Sequence, residues 1–300
     1  MRALITTALV LLSCCLFAQR QRYVRYNQLL TQADVMDQHG DHARALAVYD
    51  SAFALIPWVA EDHVPAVLAA LSAGADDRAN ALLLEAVENG LEVEHYYSPA
   101  LLRFLNSGQA QAFLDNWGYM QQRFLAHADT AAIAELKAIG TGKHLVREAS
   151  GDTVVRTDTT AIDRFIALVK LRGFPTARTL GPISGLAQRL LADQAPDYPD
   201  GLYWRILSPY INKEIARGTL EPEFLCLFQD IADHDHGRPL TFGVAMHRYL
   251  GEPIIRLDAH ERIDRARAAL GLSTIERAIE QQETYKAKFV FEEEPDLTPR

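Results

Sequence analysis

Cysteine is nearly absent. The 300-residue chain has three, and Cys14 and Cys15 fall within its first fifteen residues. Only Cys226 remains in the body, which excludes an intramolecular disulfide there. It lies among Phe224, Leu225, Leu227 and Phe228, the setting of a small core residue rather than a reactive thiol. A basic excess is also missing. Thirty Lys and Arg stand against 39 Asp and Glu, for a net charge of -9. A broad cationic face for nucleic acid is therefore not expected. No apolar run approaches the roughly 20 residues that span a bilayer. There is no phosphate-binding Gly-rich loop, no Gly-x-Gly-x-x-Gly after a strand, no His-Glu-x-x-His and no Gly-x-Ser-x-Gly. The enzyme classes built on those motifs lose their support. A nucleophile assembled from distant residues stays open. Strand signals are scarce as well.

What is present is a chain that is 49% apolar, enough to pack a core and long enough for two domains. Residues 1–18 read as an export signal. Arg2 supplies a positive start, and Ala3 to Leu12 is uncharged and mostly apolar, about ten residues and too short to cross a membrane. Two processing routes compete. Cleavage after Ala18 would release a soluble chain into the periplasm or medium. Alternatively, Leu11-Leu12-Ser13-Cys14 would serve as a lipoprotein signal, with a lipid anchor on Cys14.

The body opens with a repeat. Gly40, Gly74 and Gly108 are each 34 residues apart. Around the first, Ala45 is small where helices cross, Tyr49 is large where a gap needs filling, and Ala52 is small again. Adding 34 returns Ala79, Leu83 and Ala86. Steps of four and three place each set on one helical face. The third unit is eroded, with Phe113 and Met120 at the small positions. Ser98-Pro99 starts its first helix and Pro57 ends the first unit. These residues resemble the tetratricopeptide repeat. That resemblance implies a right-handed stack of helix pairs over residues 19–127, whose usual role is protein binding.

Residues 128–290 lose the period and read as a second, mostly helical domain. One helix is expected from Ala131 to Arg147, interrupted near Gly140 and Gly142. An amphipathic helix should run from Ala161 to Arg172, stopped by Gly173. Another should start after Pro222, with Phe224, Leu227, Phe228 and Ile231 inward. Asp258 with Glu261, and Ser273 with Glu276, read as capping boxes of two final helices. Residues 291–300 read as a disordered acidic tail.

Landmarks in this half resemble a bacterial family named domain of unknown function 6624. They are Glu135-Leu136, Arg147, Gly173-Phe174-Pro175, Leu180-Gly181, Ala216-Arg217-Gly218, Asp230, Gly237-Arg238-Pro239, Phe242-Gly243, and Arg265 through Gly271-Leu272. The resemblance spans about residues 133–282 and implies a fold, not a reaction. Three polar motifs of that family are altered. Lys143-His144 stands where it tends to carry Asp-Gln, no histidine occurs between Leu186 and Pro199, and Phe242-Gly243-Val244-Ala245 replaces Tyr-Gly-Thr-Gln.

Two polar clusters are candidates for chemistry. Asp230, His234 and His236 are metal-ligand types, and a spacing of four puts Asp230 and His234 on one helical face. The competing reading is a helix end capped by Gly237, with Arg238 neutralising the aspartates. Lys143, His144, Arg147 and Glu148 would form i,i+4 pairs if helical. Arg265 with Arg267, and Arg205 beside Trp204, are further anion or stacking candidates.

The expected fold is all-α, a short tetratricopeptide-like array packed with a second helical domain. The expected role is an exported, non-enzymatic protein that binds another protein, with no cofactor and no membrane span. The alternative is an enzyme or small-ligand binder whose pocket gathers His144, Arg147, Asp230 and Gly243, or one that holds a divalent metal.

Overall fold

The computed structural model describes residues 21–96, 98–147, 153–158, 160–249, 252–280 and 288–292. The expected export signal and the acidic segment after residue 292 lie outside them. The fold is all-α, with two small two-stranded sheets among the described residues. No helix among them is long and apolar enough to cross a membrane. The chain divides into two compact units. The first comprises residues 29–191 with 210–214, and the second the remainder.

The first unit opens with three helix pairs. Helix α1 covers residues 21–38, its last turns belonging to this unit, and α2 is His42–Phe53. Then come α3 (His63–Ser72) with α4 (Asp76–Glu88), and α5 (Pro99–Leu105) with α6 (Gln111–His127). Gly40 and Gly74 turn the first two pairs with φ of +80° and +68°, a backbone region open to glycine because it lacks a Cβ. The expected packing positions are all buried: Ala45, Tyr49 and Ala52 in α2, and Ala79, Leu83 and Ala86 in α4. The third pair departs, as its sequence suggests. Gly108 opens a 3-10 turn, is not among the positive-φ glycines, and comes after a Ser107 cap. Phe113 is the single buried residue of α6.

Residue 128, where the sequence suggests a boundary, lies inside this unit. The Asp129 amide donates to Thr179 O, and its carboxylate grips Arg172 at 2.9 and 3.0 Å. The chain at the expected boundary is therefore fastened to the helices beyond it. Helix α7 (Thr130–Ile139) ends at Gly140, and the rest of the expected helix is instead strand β1 (Lys143–Arg147), antiparallel to β2 (Thr153–Thr157). Gly140 and Gly142 both take positive φ, which ends a helix rather than bending it. Helix α8 (Ala161–Arg172) stops at Gly173 as read from sequence. The unit closes with α9 (Ala177–Leu180) and α10 (Gly185–Ala192).

In the second unit, α11 (Leu202–Arg217, apart from residues 210–214) precedes α12 (Phe224–Asp235). The inward face of α12 is the expected one, and Phe228 packs on buried Trp204 at 4.7 Å. Strand β3 (Ile254–Leu257) runs parallel to β4 (Lys288–Phe291) and covers a core with Leu240, Met246, Ile263 and Ile275. Helices α13 (His260–Ala268) and α14 (Ile275–Glu280) complete it. Neither expected capping box forms. Asp258 bonds its neighbour's amide and pairs with Arg262, while Thr274, not Ser273, accepts the Arg277 amide. Of the expected tail, Phe291 lies in β4 and Glu292 pairs with Arg256, and the rest lies outside the described residues.

Candidate binding groove

A cavity of about 480 Å³ opens in the first unit, within the range of ligand sites. Its wall begins at Pro57 after α2 and continues through His63 of α3, Glu85 and Glu88 of α4, and Asn89 at that helix's end. Arg123, Phe124 and His127 of α6 come next, then Ala177 and Arg178 of α9. Phe124 owes its place to two glycines. Gly90 ends α4 at φ +94°, and a Cβ there would meet the Phe124 ring at 2.7 Å. Gly181, at φ +58°, faces the same ring at 3.0 Å and Asn89 O at 2.9 Å. Real Cβ atoms do not approach so closely, so the ring is seated between two bare backbones.

His63 is almost wholly buried and stacks on Phe53 with ring centres 4.1 Å apart. Its Nδ1 lies 3.1 Å from Val59 O. A carbonyl only accepts, so Nδ1 carries the hydrogen. Nε2 then faces Glu85 at 3.8 Å. Burial holds the His63 pKa below the usual histidine value, and the Val59 carbonyl and Glu85 oppose that shift. The other charges of the wall are matched. Arg78 joins Glu85 to Asp50, and Arg123 reaches Glu88 at 2.7 Å. Arg178 differs: its guanidinium lies 5.1 Å above the Trp58 ring, and among the described residues it has no carboxylate partner. Such a stacked cation is fixed yet free to meet an anion. The lining contains no serine, cysteine or lysine. Its polar groups are histidines, carboxylates, an amide and two arginines.

The residues singled out from sequence lie elsewhere. Lys143, His144 and Arg147 are in a strand, so the helical i,i+4 pairing argument fails. Their side chains, and Glu148, are outside the described structure. Asp230 is fully buried and accepts the amides of Phe242 (2.8 Å), Val244 (2.7 Å) and Ala245 (3.1 Å). Burial raises its carboxyl to about 6 against the pull of those amides. Asp233 takes Arg238 Nε at 2.9 Å and Thr241 Oγ1 at 2.7 Å. The two aspartates at the helix end thus bind the returning loop. Gly243 is needed in that loop because a Cβ would meet Ile275 at 2.6 Å.

His234 stacks on Tyr249 and bonds Glu252 at 3.0 Å, whereas His236 bonds Ala232 O at 2.7 Å. Asp230, His234 and His236 each face a different partner, and the structure does not gather them as ligands. Arg267 is buried, with Nη1 donating to Phe242 O and Nε to Ser273 O, which makes it a tie for the same loop. Cys226 is buried and free of disulfide. The groove was missed because its residues come from five separate segments. The one available signal was Trp58-Val59 directly after Pro57, an aromatic placed in a helix–helix turn. No family model, curated protein or solved structure matches the chain.

Proposed function

We propose that the protein is an exported, non-enzymatic interaction protein whose first unit holds a segment of a partner protein in the groove. The observation that carries this reading is Arg178 stacked on Trp58 at the edge of a 480 Å³ cavity whose carboxylates are already matched. A bound segment would set an acidic side chain against Arg178 and an apolar one against Phe124. The tetratricopeptide resemblance supports it, since stacked helix pairs present concave surfaces of this kind. Export rests on Arg2 and the apolar run after it. The full chain, with a photo-crosslinking residue at position 127, is tested in envelope extract. The expected result is a discrete adduct that is lost in R178E and in F124A. An adduct pattern unchanged by both substitutions would overturn the reading.

A further inference from the structure

Two hydrogen-bond acceptors face each other in the groove with no hydrogen between them. The His63 side chain is 1% exposed and lines the cavity with Glu85. His63 opens α3, where its ring is held twice. Phe53 stacks on it at 4.1 Å, and Nδ1 gives its hydrogen to Val59 O. Nε2 is left with a bare lone pair. The atom it faces is Glu85 Oε2 at 3.8 Å, too far for a hydrogen bond and itself an acceptor.

Glu85 is oriented toward the same gap. Arg78 Nη1 holds its Oε1 at 2.8 Å, and Oε2 receives no hydrogen bond among the described residues. Arg78 also reaches Asp50 through Nε and Nη2, so one positive charge answers two negative ones. Arg123 and Glu88, the next pair on the wall, cancel each other. A negative remainder therefore lies beside His63. Burial holds the His63 pKa below the usual histidine value, so the ring is neutral at neutral pH and offers an acceptor rather than a compensating charge. A buried acceptor without a donor is costly to leave unmet.

The missing donor has a defined chemistry. One nitrogen about 2.8 Å from each acceptor spans the gap, provided that it carries at least two hydrogens. A positive charge on it offsets the wall and strengthens both bonds. A guanidinium's planar fork suits the two oxygens of one carboxylate, whereas an ammonium turns its three donors to acceptors of unlike origin. We infer that His63 Nε2 and Glu85 Oε2 form a subsite for a primary alkylammonium, the lysine side chain of the segment bound in the groove. The inference rests on the groove reading above. It adds a basic residue to the acidic one set against Arg178.

The full chain with ¹⁵N-labelled histidine, titrated with n-butylammonium chloride, tests the subsite. Nuclear magnetic resonance reads the His63 Nε2 signal and the broadening of the probe's methyl signal. The expected result is a saturable shift of Nε2 that n-butanol does not produce. Binding should weaken at least tenfold in E85Q, which keeps the shape of a 43% exposed side chain and removes its charge. The methyl broadening should also be lost in H63F, which keeps a ring against Phe53 without the acceptor. Glycinamide carries its ammonium at a chain start and should respond less; a stronger response would overturn the lysine assignment. An equal shift with n-butanol, binding indifferent to E85Q and H63F, or no response, with water alone in the gap, would each overturn the subsite. The crosslinking result reads separately. An adduct sensitive to R178E with no butylammonium response sinks the subsite alone, and a butylammonium response beside an adduct indifferent to R178E and F124A sinks the partner reading alone.

Discussion

The seat of Phe124 gives the sharpest test of how the groove is built. Gly90→Ala adds one methyl at φ +94°, with the Phe124 ring 2.7 Å from the new atom. Two costs are separable. The left-handed backbone costs a non-glycine residue about 1–2 kcal/mol, and the clash adds about 1–3 kcal/mol as overpacking. Gly40→Ala is the matched control, because Gly40 sits at φ +80° with nothing within 4 Å. It should cost only the first amount. The expected loss for Gly90→Ala is then about 2–5 kcal/mol, read from urea denaturation monitored by circular dichroism. A double-mutant cycle isolates the ring. In a Phe124→Ala background the clash is gone, so Gly90→Ala should fall to about the Gly40 value, and the coupling should equal the clash term. If Gly90→Ala costs no more than Gly40→Ala, or the cycle is additive within about 0.5 kcal/mol, the ring does not rest on Gly90 and the described wall is wrong.

Two predictions concern pH. His63 has a folded pKa below its unfolded value because it is buried. The unfolded chain therefore binds its proton first as pH falls below about 6.5. Stability from this group is complete above that pH and declines as pH drops toward the folded pKa; His63→Gln should flatten this slope in melts between pH 7.5 and 5.5, and an unchanged slope would show that His63 is not the group responsible. Asp230 has the opposite sign, with a folded pKa of about 6 against an ordinary value of 3.8. The folded state binds its proton more tightly in that window, so stability falls by roughly 2 kcal/mol as pH rises from 4 to 7; Asp230→Asn should remove that fall, and a parallel pH profile for parent and variant would refute it.

The sequence was most legible where one element's own residues decide its shape. Ala161 to Arg172 is amphipathic and ends at Gly173, and it forms the expected helix with that stop. The 34-residue spacing placed Ala45, Ala52, Ala79 and Ala86 at helix crossings, where all four are buried. Legibility failed where a neighbour decided. Lys143–Arg147 pairs antiparallel with Thr153–Thr157, and that partnership outweighs the helical reading of the stretch. Phe291 joins β3 for the same reason, although its own flank is acidic. Cap identity also escaped: Thr274 and Ser273 are equally suited by type, and it is Thr274 that accepts the Arg277 amide.

The candidate chemistry obeyed the same rule more severely. Asp230, His234 and His236 looked like a site because they are close in sequence, yet α12 turns each toward a different neighbour. Asp230 points to the loop at Phe242, His234 to Tyr249 and Glu252, and His236 back to Ala232. A helix gives two residues a common face only at steps of three or four, and a step of two sends them apart. His260 and Asp264, four apart on α13, obey that rule. The groove obeys a looser one, since its five segments are brought together by stacking and by two glycines that leave room for a ring. A polar run dense in one stretch is therefore more readily spent on closing a helix end, as here through Asp233 with Arg238 and Thr241. Residues that converge from separate helices are the ones left free to meet something else. Arg178, at the edge of the groove and without a carboxylate partner among the described residues, is such a residue.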